Sequence, residues 1–92
     1  MKLVLSIVRD DDADKVINAL VERGFSITRM ASTGGFLREG NTTIMSGVEE
    51  DRVDEMLEII RANVTPRSQA PSGEFVSGAT AFVLNLERIK KV

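Results

Sequence analysis

Apolar residues dominate Lys2–Arg9, where Leu3, Val4, Leu5, Ile7 and Val8 follow with little interruption, and this density predicts a strand buried on much of both faces. Asp10-Asp11-Asp12 then offers N-cap candidates for a helix, and Asp14 adds negative charge to its first turn. Ala13, Val16, Ile17, Leu20 and Val21 recur at helical spacing and predict one inward stripe. Gly24 suits the residue just past the helix end, where a left-handed backbone is needed, and Phe25 can pack back on that end. Phe25–Ser32 alternates in the manner of a strand with a polar face, and Gly34-Gly35 breaks it.

The second half repeats the plan. Asn41–Val48 is β-rich and predicts a third strand, in which Gly47 is unfavourable unless a bulge or another group needs close approach of the backbone. Glu49, Glu50 and Asp51 open a second helix whose buried stripe is Val53, Met56, Leu57 and Ile60, and Thr65-Pro66 lies beyond its end. Thr65–Gly73, with its Pro, Ser, Gly and Gln, reads as a loop. Glu74–Leu86 reads as a last strand, long enough to expect an interruption, with Gly78 as a bend or bulge, and Arg88–Val92 is a basic end. A shift of 40 residues lays Ser6 on Ser46, Val8 on Val48, Asp11 on Asp51, Val16 on Met56 and Leu20 on Ile60. The expected order is βαββαβ, an α+β ferredoxin-like plan with an antiparallel sheet carrying both helices on one face. The opposite face must be solvated, bind something or meet a partner.

Composition narrows the function classes. The chain has 92 residues, 42% hydrophobic and 28% charged, which suits a single domain over 1–92 with one modest core. Twelve basic residues against fourteen acidic give a net charge of −2, too balanced to argue for a binder of a nucleic-acid phosphate backbone, so no nucleic-acid partner is expected. With no Cys and no His, thiolate nucleophiles, imidazole acid–base chemistry and Cys/His metal sites are excluded. The acidic clusters at 10–14 and 49–51 sit where helix starts favour negative charge and match no EF-hand spacing, so no metal is expected. The longest apolar run, Ala81–Leu84, is far below the about 20 residues of a membrane span. A cytoplasmic, cofactor-free protein without a membrane span is the expectation. No nucleophile–base pair can be named, so binding is expected rather than catalysis, and Asn41–Val48 lacks the aromatics of an RNA-recognition sheet.

The chemistry is concentrated in Thr28–Gly47. Gly34 and Gly35 allow main-chain N–H groups to converge as an anion nest, and Phe36 follows in a loop, where a large ring is costly to expose. Thr28 and Arg29 offer a hydroxyl and a guanidinium to phosphate, and Asn41 offers a paired donor and acceptor to a purine edge. Two readings stay open: a nucleotide pocket, or a glycine-rich hairpin whose Phe36 plugs a subunit interface and whose Asn41 caps a turn.

Thr33-Gly34-Gly35-Phe36-Leu37-Arg38-Glu39-Gly40-Asn41-Thr42-Thr43 resembles the signature of the PII-like cyclic di-AMP receptor family of bacteria. The opening Met1–Asp12, the run Gly47–Glu55 and Gly78–Val83 agree with it. The resemblance implies a PII-like homotrimer that binds cyclic di-AMP in clefts between subunits and signals by loop rearrangement to a downstream protein that the sequence does not identify. Carried over by position, Thr28 meets phosphate; Gly35, Phe36 and Leu37 shape the adenine and phosphate contacts, with Phe36 against a base; Asn41 bonds a base; Gly47 permits close approach; Phe82 lines the pocket. The chain departs from the family at Ser26, where a basic residue is usual, leaving Arg29 as the candidate substitute although adjacent strand residues face opposite sides. The loop over Thr65–Gly73 is shortened, and the tail Glu87–Val92 lacks the family's aromatic and Gln. The alternative is a PII-like interaction module whose ligand is lost or is a different adenine nucleotide.

Overall fold

A computed structural model describes residues 1–30, 40–65 and 78–87. Strand β1 (Lys2–Arg9) leads directly into helix α1 (Asp10–Glu22), followed by β2 (Thr28–Met30) and β3 (Asn41–Val48). A 3-10 turn (Glu50–Arg52) precedes helix α2 (Val53–Asn63), and β4 (Ala79–Asn85) closes the order. The strands form one four-stranded sheet in the order β2-β3-β1-β4, with every neighbouring pair antiparallel. This α+β arrangement is compatible with the ferredoxin-like plan expected from the sequence. The glycine pair at 34–35, most of the loop expected over Thr65–Gly73, the start of the strand expected over Glu74–Leu86 and the tail 88–92 lie outside the described residues.

Register and alternation sort the strands into two faces. Val4, Ser6 and Val8 of β1 lie opposite Ser46, Ile44 and Thr42 of β3, and all six are buried. Both helices cover this side: Val16 and Leu20 of α1 and Met56 and Ile60 of α2 join Val4, Val8, Ile44 and Val48 in one apolar cluster. These helix positions are the ones that the 40-residue shift superposes. The other side carries Leu3, Leu5 and Ile7, each only partly buried, so β1 alternates where the sequence suggested burial on both faces.

The helix ends differ from the sequence expectation in an informative way. Asp10–Asp12 do not cap α1: its N-cap is Arg9, with no side-chain cap. Asp10 instead accepts a hydrogen bond from the Thr42 hydroxyl (2.6 Å), and its N–H donates to the Gly40 carbonyl (2.9 Å). Asp12, 5% exposed, accepts from both the N–H (3.0 Å) and the hydroxyl (2.9 Å) of Thr65. The acidic cluster thus ties the start of α1 to the start of β3 and to the end of α2. At the far end the expectation holds: Gly24 has φ of 87°, its N–H reaches the Val21 carbonyl, and the Phe25 N–H reaches the Leu20 carbonyl. That is a Schellman closure, with buried Phe25 packing on the core.

Gly78 enters β4 under tight constraint. A Cβ there would lie 2.8 Å from the Thr65 carbonyl oxygen and 2.9 Å from a Val64 methyl. Gly78→Ala is therefore expected to destabilise the fold by about 1–3 kcal/mol, the range for overpacking, read as a lowered urea midpoint at unchanged slope.

Candidate functional site

The face turned away from the helices has the character of a binding surface. Its central row crosses all four strands: Thr28 lies opposite Met45, Met45 opposite Leu5, and Leu5 opposite Phe82. A second row places Gly47 opposite Leu3 and Leu3 opposite Leu84, and a third places Thr43 between Met30 and Ile7, with Thr80 beyond. Phe82 is 51% exposed and Leu84 48%, although β-rich apolar sequence normally seeks a partner layer. The strands β1 and β4 that carry these side chains are held by their ladder, and Lys2 ties them further by donating from Nζ to the Asn85 side-chain oxygen.

Among the residues expected to bind, Thr28, Asn41, Gly47 and Phe82 all belong to this face. They do not converge within one chain. Thr28 and Phe82 lie on opposite edge strands, roughly 14 Å apart at the usual strand spacing, and Asn41 and Gly47 lie at opposite ends of β3, roughly 20 Å apart. Gly35, Phe36 and Leu37 lie outside the described residues. Arg29 is on the other side: it pairs with Ile44 of the core face, and its guanidinium meets the Asp14 carboxylate of α1 at 2.8 Å. The structure therefore does not bring Arg29 to the face that Thr28 occupies, because β2 alternates through both.

Gly47 also lines a shallow cavity of about 210 Å³ at the end of the sheet, together with Ser26, Phe25, Glu49 and Arg52. The Arg52 guanidinium stacks over the Phe25 ring at 4.2 Å, donates from Nε to Glu55 (3.0 Å) and from Nη2 to the Arg23 carbonyl (2.9 Å). Held in this way, Arg52 keeps the Glu55 carboxyl below the usual carboxylate range through that hydrogen bond. Ser26 receives the Ser46 hydroxyl on its carbonyl (2.6 Å), which fixes the backbone leading into β2. Among the described residues no cluster of carboxylates is arranged to hold a metal ion, and no helix is long and apolar enough to cross a membrane.

Sequence reasoning missed Arg9 as a residue of this face. Arg9 lies directly opposite Asn41 and continues the phase of Leu3, Leu5 and Ile7. The signal was that phase, obscured because apolar residues occupy both faces of β1.

Among solved structures, a protein from Pediococcus pentosaceus ATCC 25745, described as functionally unknown, is similar at a TM-score of 0.76 and 38% identity, over 99% of this chain and 96% of that one. The family described as cyclic-di-AMP receptor matches residues 1–74, a span that includes β1 to α2 and the Thr28–Gly47 segment. The chain belongs to the cyclic-di-AMP receptor family.

Proposed function

We propose that the protein is a non-enzymatic sensor of a nucleotide second messenger, a single PII-like domain that takes cyclic di-AMP in clefts between the subunits of a cytoplasmic homotrimer. The observation that carries this reading is the open sheet face, which combines an exposed apolar row with Thr28, Asn41, Gly47 and Phe82 at separations too large for one compact ligand in one chain. Two copies meeting on this face would bury Phe82 and Leu84 and bring the edge of one near the strand end of the other. The dinucleotide fits such a joint chemically, since its adenines present apolar faces for stacking and its phosphates present acceptors for hydroxyl and N–H donors. Gly35, Phe36 and Leu37 complete the set through the shared signature. Ligand bound at the joint would then be reported by rearrangement of the loops that flank β3 to a downstream protein.

A second reading, a PII-like interaction module with a different adenine nucleotide or none, draws support from Arg29, which is engaged by Asp14 away from Thr28. Isothermal titration against cyclic di-AMP, cyclic di-GMP, ATP and AMP separates the two. The sensor reading expects saturable heat with cyclic di-AMP and far weaker heat with the others. Preference for ATP or AMP supports the second reading, and silence with all four at high concentration rejects the sensor.

A further inference from the structure

A cation strengthens the hold on a phosphate beyond what hydroxyl and N–H donors give, and the open face supplies one. Arg9 is the charged residue among the described strand positions of that face; the others are apolar, glycine, threonine or asparagine. It is exposed and enters no ion pair among the described residues. The remaining strand cations are engaged elsewhere: Arg29 with Asp14 on the helix side, and Lys2 with Glu50 and Asn85. Arg52 and Arg61 sit on the α2 side with Glu55 and Glu58, while Lys15 and Arg23 belong to α1 and its end. Arg9 also stands where it can act with a base reader. Its register partner is Asn41, partly buried, and directly opposed strand residues hold their Cβ atoms about 4.5–5.5 Å apart on the same face.

The strand end that presents Arg9 is fixed from behind. The next residue, Asp10, binds the Gly40 carbonyl through its N–H and the Thr42 hydroxyl through its carboxylate, so the register of Arg9 against Asn41 is clamped on both sides of the pair. A guanidinium beside a carboxamide at fixed spacing matches a nucleotide's two handles: the fork takes a phosphate through paired N–H donors, and the amide takes a base edge. Among the described residues the Arg9 guanidinium is held by no ion pair, so none of those has to be given up on taking an anion.

We propose that Arg9 is a phosphate-binding residue of the dinucleotide site, acting with Asn41 on the same nucleotide unit. This rests on the sensor reading above and adds to it the cation that sets preference for a phosphodiester ligand.

The test measures cyclic di-AMP affinity of the full chain at low and high salt for wild type, Arg9→Gln, Arg9→Lys and Arg29→Gln, with oligomeric mass recorded for each. Arg9→Gln is expected to weaken binding roughly ten- to a hundredfold, the range for a hydrogen bond to a charged group, and to flatten the salt dependence. Arg9→Lys should recover part of the affinity and the wild-type salt dependence, since it keeps the charge and loses the fork. Arg29→Gln should match wild type. Wild-type affinity and salt dependence in Arg9→Gln overturn the assignment while leaving the sensor reading intact. So does a loss of mass in Arg9→Gln that Arg9→Lys does not repair, which makes the role structural. A wild-type chain that does not bind cyclic di-AMP overturns the sensor reading and this assignment together.

Discussion

Leu20→Ala is expected to lower the unfolding free energy by about 3 kcal/mol, within the usual span for emptying a buried leucine site. Leu20 is fully buried and among the largest side chains so placed. Its backbone carbonyl also receives the N–H groups of Arg23 and Phe25, which close α1. Phe25 packs into the same cluster and carries the Arg52 guanidinium on its ring. Neighbours joined by hydrogen bonds and stacking collapse poorly into a void, and a site that cannot collapse shows the larger losses. Val21→Ala, one residue along, is the internal control. Val21 is 55% exposed, so its loss should stay within about 0.5 kcal/mol. Urea unfolding of both variants checks the pair, and similar losses at the two positions would contradict the assigned core.

That contrast shows where the sequence is informative. Ala13, Val16 and Leu20 are buried and Ile17 packs at their edge, whereas Val21, about 100° round the helix from their centre, is exposed. The helices, β1 and β3 were legible because periodicity and turn residues agree over whole segments. The acidic cluster sits in the first turn of α1 as its sequence suggests, but the partners that Asp10 and Asp12 find in place of a cap, Thr42 and Thr65, are distant in sequence and near only once the sheet is paired. Of the candidate site, the residue types were legible but not their sides. Thr28 and Arg29 were offered together for phosphate, and strand alternation sends Arg29 to Asp14 on the helix side while leaving Thr28 in the open row. Arg9 escapes the sequence reading for the converse reason: its side follows from β1 register, which apolar residues on both faces conceal.

Leu84→Asp is expected to leave the isolated subunit folded and to dissociate the proposed homotrimer. Leu84 is 48% exposed on edge strand β4, opposite Leu3 on the open face, so in a single chain a carboxylate there keeps its water. In an assembly closed on this face, the same carboxylate would be buried against apolar neighbours without a cation, an arrangement that costs several kcal/mol per interface. The mass by light scattering should therefore fall to that of one chain, about 10.1 kDa, while the far-ultraviolet circular dichroism is retained. Cyclic di-AMP affinity should fall with it, because residues spread over the face would no longer meet from two copies. The substitution avoids the residues expected to touch ligand, which separates loss of assembly from loss of a contact. Val83→Asp tests the sidedness of the effect: Val83 is 42% exposed on the same strand but alternates to the helix side, and its variant should keep the assembled mass. If Leu84→Asp keeps the assembled mass while Val83→Asp loses it, the subunits join through the other side of β4, and the open face is left to ligand or solvent alone.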